Sequence, residues 1–93
     1  MGALAVTVYQ PVAGLLGKPT PGGWRFDVSI DGEALLETAL TEAGHGELAT
    51  SLASARMAVY YVVVVNGRAD PARLLARVRE GDEVSILPVY VGG

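Results

Sequence analysis

The sequence predicts an α+β domain: a mixed four- to five-stranded sheet with one main helix packed on one face. Three observations carry this. Two early segments alternate apolar and polar residues with the period of two that marks half-buried strands. One segment before the midpoint has the apolar stripe of an amphipathic helix. Two apolar, β-branched runs follow in the second half, each next to glycine-containing turns.

In the first strand Leu4, Val6 and Val8 alternate with Ala5, Thr7 and Tyr9. Residues 11–23 hold three prolines and four glycines and read as a loop. In the second strand Trp24, Phe26, Val28 and Ile30 share one face, and Arg25, Asp27, Ser29 and Asp31 the other. These two strands are expected to pair antiparallel, with the loop as a long tip.

A helix is expected next, in which Leu35, Leu36, Ala39, Leu40 and Ala43 form one buried stripe. Asp31 is its expected cap, Glu33 lies in its first turn, and Gly44 supplies a left-handed stop. Residues 45–57 suit a second short helix, with Leu48 and Leu52 one turn apart, or a loop. Residues 58–65 read as a buried strand ended by Asn66-Gly67. Pro71 opens a short helical turn holding Leu74, Leu75 and Val78. Glu80-Gly81-Asp82 then turns into a last strand over residues 83–89. For one helix to cover one face of a single mixed sheet, the first and last strands must lie side by side in its middle. That is the β-grasp arrangement. The whole of 1–93 is expected to be one domain with a flexible tail at about 90–93.

A chain of this length buries roughly 60–68% of its unfolded surface, enough for one core. With 51% hydrophobic and 18% charged residues the composition is globular. A net charge of −3 argues against a nucleic-acid partner. The absence of cysteine excludes disulfides, thiolate metal sites and cysteine nucleophiles. The N-terminus lacks a basic region followed by an apolar one, and Val6 stands where a myristoylation motif needs Ser or Thr. The longest apolar run, residues 58–65, is too short to span a bilayer. The expectation is a soluble, cytoplasmic protein with neither membrane nor nucleic-acid partners.

Side chains suited to catalysis are scarce. His45, flanked by Gly44 and Gly46, has no second ligand or nucleophile at recognisable spacing and reads as an exposed loop histidine. Glu33, Glu37 and Glu42 read as the solvated face of the helix. The stretch from Gly14 to Thr20 fails as a phosphate loop, because Val12 replaces its first glycine and Pro19 separates Lys18 from Thr20. Trp24 sits in the apolar set of its strand and reads as core. No metal site or bound cofactor is expected, and the chain is not expected to be an enzyme.

The tail is different. Tyr90-Val91-Gly92-Gly93 follows Pro88 and Val89 and ends in two residues without side chains. A narrow active site can close around such a backbone, and glycine reaches angles that other residues cannot. Four extended residues span up to ~13–14 Å, enough to enter a partner's cleft.

Val63-Val64-Val65-Asn66-Gly67-Arg68, then Val78-Arg79-Glu80-Gly81-Asp82-Glu83-Val84-Ser85-Ile86-Leu87-Pro88 and the final Gly92-Gly93, resemble the ThiS/MoaD family of ubiquitin-like sulfur-carrier proteins. That family ends a strand with "VNG", enters its last strand through "GDEV" and finishes on "LPP-x-x-GG" or similar. Val89 replaces the family's second proline, and Tyr90-Val91 precedes the glycines where Ala or Ser is usual. The resemblance implies a β-grasp fold and a carrier whose Gly93 is adenylated and then converted to a thiocarboxylate. It implies that Gly92, Val91 and Tyr90 are recognised by partner enzymes. Those partners are a ubiquitin-activating-type adenylyltransferase using ATP and magnesium, a sulfur donor, and a synthase large subunit or other sulfur acceptor. The "GDEVSILP" stretch favours the small subunit of molybdopterin synthase, in molybdenum cofactor biosynthesis. Carriers for thiamine thiazole, cysteine or tRNA thiolation remain open, as do a ubiquitin-like protein modifier and a non-catalytic interaction module. The surplus of apolar residues on the strand at 58–65 further predicts a docking surface. Val59, Tyr61, Val63 and Val65 share one face and Tyr60, Val62 and Val64 the other; one helical layer can bury only one of these faces fully, which leaves some of the other set for a partner.

Overall fold

The computed structural model describes residues 2–10, 12–17 and 22–89. Strand β1 (Gly2–Val8) buries Leu4, Val6 and Val8 and pairs antiparallel with β2 (Trp24–Ile30) over seven consecutive residue pairs. Between them, the loop expected over residues 11–23 contains a helical turn, α1 (Val12–Leu15). Its Val12 and Ala13 are fully buried. The return into β2 needs glycine: Gly23 has φ +104°, and a Cβ there would meet the Val8 carbonyl oxygen at 2.6 Å.

After β2 the chain departs from the sequence expectation. Asp31-Gly32 makes a turn, with Gly32 at φ +74°, and Glu33–Leu35 forms a short strand, β3. β3 pairs antiparallel with β6 (Arg77–Arg79). Asp31 therefore does not cap the helix, and Glu33 lies before its first turn. Helix α2 (Leu36–Glu42) starts instead where the Leu36 N–H donates to the Ala76 carbonyl at 2.9 Å. A main-chain partner some forty residues away in sequence replaces the side-chain cap, which no local pattern could reveal. The stop occurs where expected. Gly44 is left-handed (φ +89°), its N–H donates to Thr41, and the His45 N–H donates to Leu40 at 2.8 Å, the two bonds of a Schellman motif.

Residues 45–57 are mostly helical. α3 (Gly46–Ala53) buries Leu48, Ala49 and Leu52, and α4 (Ala55–Ala58) follows a Ser54 hydroxyl that accepts from the Met57 N–H at 3.3 Å. The helical layer is thus shared, with α2 burying Leu36, Ala39 and Leu40 beside α3. Because α4 runs to Ala58, the next strand begins later than residue 58, as β4 (Tyr61–Val65). Val65 and Arg68 pair across Asn66 (φ +50°) and Gly67 (φ +82°), a two-residue hairpin of the type that needs two positive φ values, leading into β5 (Arg68–Ala69). A 3₁₀ turn (Arg73–Leu75) then buries Leu74 but leaves Leu75 exposed, and Val78 is buried from β6.

The last strand, β7 (Glu83–Pro88), lies parallel to β1 and antiparallel to β4. The five-stranded order is β2-β1-β7-β4-β5, with the first and last strands central, as the β-grasp expectation required. Val84 and Ile86 complete the core.

The two halves of the recognised pattern meet here. The Asn66 N–H donates to the Glu83 carbonyl at 2.8 Å, its Oδ1 accepts from the Glu83 N–H at 2.9 Å, and its Nδ2 donates to Asp82 Oδ1 at 2.9 Å. The other Asp82 oxygen accepts from the Arg79 N–H at 2.9 Å, and the Gly81 N–H donates to Ala3 at 2.9 Å. One amide and one carboxylate therefore tie the β4 hairpin, the end of β6 and the start of β7 together, beside β1. Asn66→Ala removes the side-chain bonds and also strains a left-handed position. It is expected to lower unfolding stability by about 1–3 kcal/mol in urea titration. Asn66→Gly, which restores the backbone freedom but not the bonds, should fall between Asn66→Ala and the unaltered protein.

Candidate functional site

Strand alternation gives the sheet a helix-covered face and an open one. Val84 and Ile86 of β7 face the helices, so Glu83, Ser85 and Leu87 face outward. On β4, Tyr61 and Val63 are buried, whereas Val62 is exposed and Val64 half-buried. Register then sorts the open face into rows. Arg25, Thr7, Ser85 and Val64 lie across four strands in one row, and the Arg25 guanidinium donates to the Thr7 hydroxyl at 3.4 Å. The next row, toward the C-terminal end of β7, is apolar. Val62 pairs with Leu87, and Tyr9 continues β1 beside them with its N–H on the Ile86 carbonyl at 2.9 Å. One step further, the Val89 N–H donates to the Tyr60 carbonyl at 2.9 Å, which sets Tyr60 against Val89. Tyr9, Tyr60, Val62 and Val89 are all exposed.

Of the two faces expected on this strand, the one holding Tyr61 and Val63 is buried, and the other is exposed at Tyr60 and Val62. Val59 departs from the expectation. It belongs to the turn after α4 rather than to the inner face of the strand, and is 62% exposed. Tyr9, Leu87 and Val89 were not singled out in the sequence, although the alternation of β7 marks Leu87 as outward. Their convergence needs the parallel pairing of β1 with β7. The predicted tail residues Tyr90, Val91, Gly92 and Gly93 lie outside the described residues, which reach Val89 at this apolar end.

The ground from which β7 leaves is held firmly. Arg73 occupies a left-handed position (φ +58°) and lays its guanidinium over the Tyr61 ring, 4.2 Å from the centroid. Its Nη2 donates to the carbonyls of Ala58 at 2.5 Å and Tyr61 at 2.9 Å. The Tyr61 hydroxyl donates to the Leu52 carbonyl at 2.6 Å. Tyr61 faces Pro88, so this arginine fixes the strand start beside which β7 ends.

The other sequence candidates lie elsewhere. His45 is not the free loop residue expected. It is half-buried, with its ring 4.1 Å from that of Phe26 and edge-on to Trp24 at 5.7 Å. Trp24 is half-buried against the core. Glu33 sits on β3, where it pairs with Arg77 at 3.3 Å, Glu37 is half-buried in the first turn of α2, and Glu42 is exposed. Among the described residues no three His, Asp or Glu side chains come together as a metal site, and no helix is long and apolar enough to cross a membrane.

With the geometry established, comparison with known proteins adds a likeness to solved structures. No protein-family profile matches the chain, and no curated protein sequence matches it. Among solved structures, the crystal structure of SAMP1 from Haloferax volcanii superposes with a TM-score of 0.64 at 23% identity, covering 99% of this chain and 100% of that one. The chain therefore has the ubiquitin-like β-grasp fold.

Burial raises the pKa of Tyr61 above its ordinary value of 10.0, an effect the neighbouring Arg73 partly offsets. The folded chain keeps this phenol protonated at a pH where the unfolded chain has ionised it. Its contribution is therefore complete below pH 10.0 and is lost as pH rises through the folded-state value. Stability measured by urea titration between neutral pH and strong alkali should fall less steeply in Tyr61→Phe than in the unaltered protein. At neutral pH the variant should be the less stable of the two, having lost the bond to Leu52.

Proposed function

We propose that this chain is a sulfur carrier that works through the carboxylate of Gly93, with catalysis supplied by its partners. The observation that carries this reading is the placement of β7. The strand is held on both sides in the middle of the sheet and ends at the apolar corner of the open face, and Gly92-Gly93 follow within a few residues. A partner that docks on Tyr60, Val62 and Leu87 is then close to Val89, from which the tail continues. The recognised motifs support the same reading. Asn66 and Gly81-Asp82-Glu83 make one hydrogen-bonded clamp at the opposite end of β7, so their joint occurrence has a structural reason.

In this reading the Gly93 carboxylate, ionised and a poor electrophile at neutral pH, attacks the α-phosphorus of ATP and pyrophosphate leaves. A sulfide-equivalent donor then adds to the acyl carbon, AMP departs, and a thiocarboxylate remains. ATP and magnesium belong to a ubiquitin-activating-type enzyme. Tyr90, Val91 and Gly92 are the segment its cleft accepts, the two glycines because only backbone needs to pass. The thiocarboxylate sulfur is then given to an acceptor enzyme, for which the large subunit of molybdopterin synthase is the first choice.

Incubation with such an activating enzyme, ATP, magnesium and a sulfide source should give an intact-mass gain equal to one oxygen replaced by sulfur, located at Gly93 by fragmentation. No mass gain with any such enzyme overturns this reading. Linkage of Gly93 to a lysine amine instead assigns the chain as a protein modifier. Deleting Gly92 and Gly93 should abolish loading and leave the fold intact by circular dichroism. In the same assay Val62→Asp, exposed on the open face, should reduce the loading rate by about tenfold or more while unfolding stability stays within about 0.5 kcal/mol.

A further inference from the structure

The sheet has one long open edge. β2 pairs with β1 along all seven residues, and among the described residues no strand covers its other side. Hydrogen-bond parity says which groups that edge presents. On β1 the N–H groups of Ala5 and Tyr9 turn toward β7, donating to Asp82 and Ile86. Alternation therefore turns the main chain of Leu4, Val6 and Val8 toward β2, where they pair with Val28, Phe26 and Trp24. The main-chain N–H and C=O groups of Arg25, Asp27 and Ser29 point the other way, out of the sheet. All three residues are exposed.

Proteins guard such edges with prolines, bulges or like charges. β2 has no internal proline, its register with β1 is unbroken, and its two exposed charges are opposite in sign and two residues apart. That spacing complements itself. Two antiparallel copies of β2 can bond only through outward-facing residues, so Arg25, Asp27 and Ser29 must pair among themselves. A register centred on Arg25 or on Asp27 opposes like charges. The register centred on Phe26 sets Arg25 against Asp27 of the second copy, twice by symmetry, as directly hydrogen-bonded pairs. On the helix-covered side the same register brings the two Phe26 side chains face to face and sets Trp24 against Val28 of the second copy. Trp24 and Phe26 are only half-buried in the single chain, 4.6 Å apart between ring centroids.

We infer that the β2 edge is a homodimer interface, in which two copies join antiparallel about Phe26 into one continuous ten-stranded sheet. The dimer leaves the apolar corner on β4 and β7 uncovered, since β1 lies between β2 and β7, and it is independent of the chemistry proposed for Gly93.

Sedimentation velocity over micromolar to millimolar concentrations tests it. The unaltered chain should dimerise. Arg25→Asp and Asp27→Arg, each of which creates two like-charge pairs, should each weaken dimerisation by about tenfold or more, and the double variant should restore it. Amide hydrogen exchange supplies a second readout in the unaltered protein: the N–H groups of Arg25 and Asp27 should gain protection as concentration rises, while exposed amides on β5 do not. A chain that stays monomeric throughout, a dimer insensitive to both reversals, or a double variant no better than the singles would each overturn the inference.

Discussion

The parallel contact between β1 and β7 is the constraint on which the rest of this structure depends. Two parallel neighbours cannot be joined by a tight turn. The chain must therefore spend everything between Val8 and Glu83 on a crossing that returns to the same sheet. That crossing supplies the β2 edge, the helical layer, the β4 hairpin and the β3–β6 ladder. Since β1 and β7 are the first and last strands of the described residues, their pairing also puts the last strand at the centre of the sheet, flanked by β1 and β4. A strand held on both sides is the most rigid available mount for whatever follows it.

The two ends of β7 are secured by different means. At its start, Asn66 and Asp82 use side-chain groups to satisfy main-chain donors where the hairpin, β6 and β7 meet. This end is polar and flanked by Glu83 and Arg68. At its finish, Arg73 lies beneath Tyr61 and binds two carbonyls of the adjacent segment, while the open face above turns apolar at Val62, Leu87 and Val89. The gradient from charged to apolar along a single face gives the strand a direction that a partner can read. It also concentrates the exposed apolar area at one corner instead of scattering it.

The open face and the open edge are separate surfaces with separate physics. The face offers side chains to a partner of complementary shape, whereas the edge offers main-chain groups to another strand. β1 stands between the two, so occupation of one leaves the other accessible.

The strand periods in residues 4–8 and 24–30, the glycine stop at Gly44 and the turn at Asn66-Gly67 were legible in the sequence because each is set by neighbours within a few residues. Side-chain alternation and positive φ are local properties. From these, the order of elements was enough to place β1 against β7; the chemistry proposed for Gly93 rests on the family resemblance, since that residue lies outside the described ones. The start of α2 was not legible, since the carbonyl that satisfies Leu36 comes from Ala76. Nor was the helical state of residues 46–58, where short alanine-rich segments are stabilised by packing Leu48 and Leu52 against the sheet rather than by their own propensity. In β1 and β2 the sequence alone thus determined which side of each strand would turn inward. Tertiary structure alone decided which outward residues would stand together, because Tyr9, Leu87 and Val62 become neighbours only through pairings between distant strands.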